Sequence, residues 1–217
     1  MTSYDDSRNN RGIRLSRQAR RAQLLEAAQQ VFVSSGYHAA GMDEIAERAG
    51  VSKPVLYQHF PGKMELYLAL LDDANEQIMA GVLSALEAAS SQSDRVWATM
   101  EAYFDFVSRE GTPYRLVFES DLLNDPAVRE RLERVERQSA AAIAPLIQQN
   151  TDYTDAEAML LATAIVGMAQ HSARFWQQRD ESIPRQDAAR LVATLAWKGI
   201  KRLPESRAAL GEVFLGH

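Results

Sequence analysis

Two short apolar-periodic segments meet at Gly50 with almost no chain between them, and this junction constrains the fold more than any other feature. EIAERAG closes one helix, and VSKPVLYQHF opens the next at once. A tight turn between two short helices is the geometry that places the second helix in a DNA major groove. Nothing else in the first 70 residues competes with it. The segments around it are helical too, and short breaks containing Gly separate them.

The periodicity predicts a first helix from an N-cap near Ser16 to Gly36, with Leu24, Leu25, Ala28, Val31 and Phe32 on its buried face. A second helix runs from Met42 to Ala49. Gly41 is its cap, and Asp43 and Glu44 sit in the first turn, where the helix dipole favours acids. The third starts at Ser52, an N-cap type. Pro54 falls in its first turn, where a missing N–H is no loss. A break at Pro61-Gly62 precedes a long helix from Lys63 towards Ser90, carrying Leu66, Leu70, Ala74, Ile78, Val82 and Leu86 at helical spacing.

The rest reads as five more helices: Ser93–Gly111, Pro113–Leu123, Pro126–Asn150 with a bend at Pro145, Asp155–Gln178 and Pro184–Arg202. No alternating strand pattern and no Asn-Gly or Asp-Gly hairpin signal occurs. The expected class is all-α. Residues 1–13 form a flexible basic arm, 14–62 a three-helix helix-turn-helix DNA-binding domain, and 63–217 a helical ligand-binding and dimerisation domain.

Charge supports this division. The net charge is −5, but residues 1–63 carry nine Lys and Arg against six Asp and Glu, a net of +3; the remainder is at −8. Arg8, Arg11, Arg14, Arg17, Arg20 and Arg21 crowd ahead of the first apolar helix, a footprint suited to phosphates. A purely architectural DNA protein would have no use for a large acidic domain that DNA repels. Apolar residues make up 46 %, enough for a packed core rather than a disordered chain. Cysteine is absent, which excludes disulfides, thiolate metal sites and a cysteine nucleophile. The N-terminus lacks the apolar run of a signal peptide. The longest near-apolar stretch, Met159–Ala169, is too short to cross a bilayer, so a cytoplasmic protein without membrane contact is expected.

Ser52, Lys53, Pro54, Val55, Tyr57, Gln58 and His59 decorate the third helix. A solvated face would be polar at Pro54 and Val55. Apolar groups there suit thymine methyls instead, while Lys53 or Gln58 can reach base edges. Lys63 opens the next helix at a position suited to a phosphate. With Arg11, Arg14 and Gly41, these are the candidate DNA-binding residues, and a palindromic double-stranded operator is the expected partner.

GYHAAGMDEIAERAGVSKPVLYQHFPGKMELY resembles the DNA-binding module of the TetR family of one-component bacterial regulators, over about residues 15–72. The resemblance implies a homodimer with a divergent helical ligand-binding domain. Many members carry Thr where this chain has Gly41, so here only backbone can cap that helix. LYLALL, AYFDFV, YRLVFESD and ARFW extend the similarity towards actinobacterial members that regulate fatty-acid synthesis. Those are implied to respond to long-chain acyl-CoA.

A collective argument points to a cavity. Trp97, Tyr103, Phe104, Phe118, Phe175 and Trp176, with Met100, Met159 and Met168, are many large side chains for a small helical domain. Leu86, Met100, Tyr103, Phe104, Val107 and Phe118 are the candidate ligand residues. An apolar effector, with long-chain acyl-CoA first among the candidates, fits a lining of this kind. The alternative is an efflux-type regulator sensing amphipathic drugs. No cofactor and no metal are expected: His38, His59, His171 and His217 are scattered without the spacing of a zinc site, and no convergent acid–base set marks an enzyme. The small residues Ala164, Gly167, Ala169, Ala188, Ala193, Ala196 and Gly199 place a four-helix dimer contact on the last two long helices.

Overall fold

The computed structural model describes residues 16–109, 121–149, 151–178 and 182–201. Every regular element among them is helical: α1 (Arg17–Ala39), α2 (Met42–Arg48), α3 (Lys53–His59), α4 (Lys63–Ala88), α5 (Gln92–Ser108), α6 (Pro126–Gln148), α7 (Asp155–Gln178) and α8 (Arg185–Ile200), with a 3-10 turn at Asp121–Asn124. The bounds expected from sequence hold to within a few residues. Most of the helix expected at Pro113–Leu123, and the tail after Pro204, lie outside the described residues.

Local chemistry explains the boundaries. The Ser16 hydroxyl accepts from the Ala19 amide and starts α1. Asp125 starts α6 by accepting from the amides of Ala127 and Val128. Pro145 lies in the last turn of α6, one turn from its end. The α2–α3 turn is closed by two backbone bonds, Val51 N–H to Ala46 O at 3.0 Å and Gly50 N–H to Glu47 O at 2.9 Å. This is a Schellman pair, which needs a left-handed residue; Gly50 supplies it at φ +63°. Gly36, at φ +73°, breaks α1 one turn before its end, which turns Tyr37 and His38 out of the helical path.

Helices α1, α2 and α3 form a head around Leu24, Ala28, Val31, Phe32, Ile45, Ala46, Leu56 and Phe60, all buried. That core continues without a break into Leu66, Tyr67, Leu70 and Leu71 of α4, and through Ile78 and Val82 to Met100, Phe104 and Val107 of α5. Thus α4 belongs to both units. Its first half packs on α1, and its length lies against α5 and α6. Helix α8 packs on α5, and α7 on α6. A second small core, Ala140, Ile143, Ala144, Ala158, Ala162 and Val166, fills the α6–α7 contact.

Candidate DNA interface and ligand cavity

The packing of Leu56 and Phe60 into the head turns the opposite side of α3 outward. Ser52, Lys53, Pro54, Tyr57 and Gln58 are exposed, and Val55, His59 and Gly41 are half-buried. Tyr57 is 47 % exposed, unusual for a tyrosine beside a packed core. Pro54, Tyr57 and Gln58 follow one another at i, i+3 and i+4, so they share one stripe. The Lys53 ammonium pairs with Asp43 of α2, and both side chains are more than half exposed. Gly41 caps α2 by backbone alone, as its lack of a side chain requires. Arg21 of α1 lies 4.5 Å over the Phe60 ring, and Gln23 Nε2 donates to Ala49 O at 2.9 Å. These two contacts fix α3 and the α2–α3 turn against α1. Arg11 and Arg14 lie outside the described residues.

Lys63 is engaged by the chain's own backbone. Its ammonium donates to the carbonyls of Tyr37 at 2.8 Å, Ala40 at 2.9 Å and His38 at 3.2 Å, and it sits 4.6 Å from the Tyr37 ring centroid. An ammonium has three donors, and here all three are used on the chain that leaves α1. A direct phosphate contact would require breaking one of these bonds. The structure therefore gives Lys63 a fastening role between α4 and the head. Around it, Phe32, Tyr37, His38 and Tyr67 form a cluster of ring contacts 5.2–5.8 Å apart. Burial pushes the Tyr37 phenol pKa up, and the negative charges of Asp125 and Glu65 add to it. Asp125 caps α6, so this end of α6 faces the head.

The second feature is a cavity of about 290 Å³ between the C-terminal end of α4, the N-terminal half of α5, and α6, α7 and α8. Its apolar wall includes Leu86, Val96, Met100, Ile143, Ile147, Ile165 and Trp197. Its polar lining is Gln92, Arg95, Thr99, Thr151 and Lys201, with no carboxylate among the described residues. A smaller pocket of about 30 Å³ lies deeper along α4 and shares Thr99, Met100, Ile143 and Ile165 with it, adding Asn75, Val82, Tyr103 and Ser139. Of the expected ligand residues, Leu86, Met100 and Tyr103 line these spaces. Phe104 and Val107 do not: both are fully buried in the core, with Phe104 5.8 Å from Trp176. Phe118 lies outside the described residues. Arg95, Thr99, Ile165, Trp197 and Lys201 were not expected. The last two escaped because α8 reads from sequence as a dimer helix.

Beside the deeper pocket, α4 is tied to α6. Arg131 Nε lies 3.1 Å from Asp72 Oδ1, and Asn75 Nδ2 donates to Arg131 O at 3.2 Å. These contacts join α6 to the helix that also packs on the head.

Helices α7 and α8 each leave an apolar stripe outside. Leu160, Phe175, Leu191 and Leu195 are 59–70 % exposed. Ala164 lies with Leu160 and Phe175 on one outward stripe, and Gly199 follows Leu191 and Leu195 on the other. The remaining small residues divide differently. Ala188, Ala193 and Ala196 are buried in this chain's own core, where they let α8 approach α5, and Ala169 of α7 is buried in the same core. No described helix is long and apolar enough to cross a membrane, and no described cluster could hold a metal ion.

The sequence profile of "Bacterial regulatory proteins, tetR family" matches residues 24–70. Over 199 residues the chain is 42 % identical to the HTH-type transcriptional activator FasR of Mycolicibacterium smegmatis, covering 92 % of this chain and 91 % of that one. Among solved structures, the fatty acid degradation regulator FadR of Bacillus halodurans superposes with a TM-score of 0.72 at 17 % identity, covering 88 % of this chain and all of that one. FadR of Bacillus subtilis in complex with stearoyl-CoA gives 0.67 at 18 %, covering 81 % and 96 %. These two likenesses speak for the fold.

Proposed function

From the premise that the chain belongs to the TetR family of bacterial regulatory proteins, and is thus a DNA-binding transcription regulator and not an enzyme, we propose that it senses an acyl-CoA and controls genes of fatty-acid metabolism. The observation that carries this reading is the chemistry of the large cavity: apolar walls, two cationic side chains and no carboxylate among its described lining residues. A cationic drug would meet Arg95 and Lys201 without a counter-charge, so the efflux alternative fits worse. An acyl chain needs only the apolar wall, and an anionic headgroup can stay near solvent beside the cations. The names of FasR and of the stearoyl-CoA complex point the same way.

The operator is read by Pro54, Val55, Tyr57 and Gln58, with Ser52, Lys53, His59 and the Gly41 backbone placed for phosphates, and Arg11 and Arg14 supply further phosphate contacts. Two chains pair through the outer stripes of α7 and α8 to set two heads on a palindrome.

Titrating acyl-CoA esters of increasing length against the operator complex tests the effector. Each buried methylene is worth ~0.8 kcal/mol, so response should strengthen about fourfold per carbon until the cavity is full. Equal affinity at all lengths, or a stronger response to a lipophilic cation, would overturn the assignment. A second expectation concerns base reading. Val55→Thr puts a hydroxyl where a methyl stood and should change the preferred operator while total affinity moves little. Selection from a randomised operator library reads this directly; an unchanged consensus would remove Val55 from the reading set.

A further inference from the structure

We infer, resting on the acyl-thioester reading above, that Arg95 and Thr99 form a subsite that recognises two successive carbonyls of a pantetheine thioester. Thr99 takes the thioester oxygen. Arg95 takes the oxygen of the first amide beyond the sulfur.

The motive is a pair of polar atoms that the fold leaves unsatisfied. Arg95 Nε and Thr99 Oγ1 are both fully buried, and neither has a hydrogen-bond partner among the described residues. Both residues line the large cavity, and Thr99 also lines the deeper pocket. Buried donors are nearly always paired, and stranding one weakens a complex by about tenfold or more. A pure hydrocarbon leaves both stranded.

The spacing narrows the chemistry. Arg95 and Thr99 are four residues apart on α5, so their side chains stack on one face with a rise of about 6 Å. The carbonyl carbons of a thioester and of the next amide in a pantetheine arm are separated by S, two methylenes and N. Fully extended, that link also spans about 6 Å by ordinary bond lengths. The two oxygens of a free carboxylate lie far closer together than that rise. The guanidinium Nε–H is only a donor, so it requires an acceptor; the threonine hydroxyl can donate to one as well.

Direction follows from the same residues. Lys201 is exposed, whereas Thr99 borders the deeper pocket along α4. The phosphate-bearing end therefore lies outward, near Lys201, and the chain runs inward past Met100 towards Val82 and Val166.

Calorimetry on the full chain tests this with four decanoyl probes, the CoA ester, the N-acetylcysteamine thioester, the S-ethyl thioester and the free acid, and with decyl methyl sulfide as a fifth. The N-acetylcysteamine ester holds both carbonyls without the nucleotide. It should bind about tenfold tighter than the S-ethyl ester, which lacks the amide. Arg95→Met should erase that difference while leaving the S-ethyl ester where it was. Thr99→Val, nearly isosteric, should weaken both thioesters but not decyl methyl sulfide, which has no carbonyl. Equal binding of the two thioesters to the parent chain overturns the subsite and leaves the acyl-chain reading standing. If no chain-bearing probe binds, the acyl reading itself falls, and the subsite with it.

Discussion

A Lys63→Met protein should lose most of its operator affinity and melt about 10 °C lower, while the salt dependence of its residual binding stays that of the parent. The ammonium satisfies three carbonyls on the segment leaving α1, each at 2.8–3.2 Å. A hydrogen bond to a charged group contributes about 1.5–3 kcal/mol, and three on one atom do not add, so a loss of ~3 kcal/mol is expected. At roughly 2–4 °C per kcal/mol for a chain of this size, that gives the stated shift. Methionine keeps the stem's volume, so the effect isolates the charge. A lysine that neutralised a phosphate would behave differently: the slope of log affinity against log salt would fall by about one, with stability nearly unchanged. That second outcome would mean the ammonium leaves its carbonyls when DNA binds.

The combined Leu191→Glu and Leu195→Glu protein should sediment as a monomer and bind the operator at least a hundredfold more weakly. Both leucines are more than 60 % exposed on α8, although they lie on the most apolar stripe of its outer side. Burying one leucine is worth about 1.5–3 kcal/mol, and two-fold symmetry counts each position twice. Glutamate removes this gain and would bring four carboxylates together. A monomer then holds the operator by one head, with half the phosphate contacts. A variant that stays dimeric in sedimentation would show that another face pairs the chains.

The sequence made the helices legible because their signals are local. Ser16, Gly41, Ser52 and Gly50 mark starts and stops within one turn of where they act, and α7 begins and ends where its pattern does. The outward face of α3 was legible for the same reason. The inward side of a helix is a different matter. Met100, Tyr103, Phe104 and Val107 share a period on α5, and all four are buried. Periodicity reports that a residue leaves water, but not whether it meets a side chain or a void. Met100 and Tyr103 line the two described cavities, whereas Phe104 and Val107 line neither, and Phe104 meets the Trp176 ring. The backbone partners of Lys63 were not legible because they lie 23–26 residues earlier, on carbonyls that become available only after Gly36 breaks α1. Alanines on α8 raise the same difficulty. Small residues permit close approach, but nothing in the sequence says whether to a helix of the same chain or of another.

The fastening of Lys63 gives α4 the mechanics of a rigid lever. Its first residue is bolted to the head, so the head has no separate play at that joint. At 26 residues α4 is about 39 Å long. A tilt of only 5° about its far end, where the cavity lies, would swing the near end by roughly 3 Å, the full length of a hydrogen bond. In a symmetric pair the two heads swing in opposite senses, so their separation changes by about 6 Å against a half-site spacing of about 34 Å. Small angular play at one end of a stiff rod is thus enough to misalign both heads.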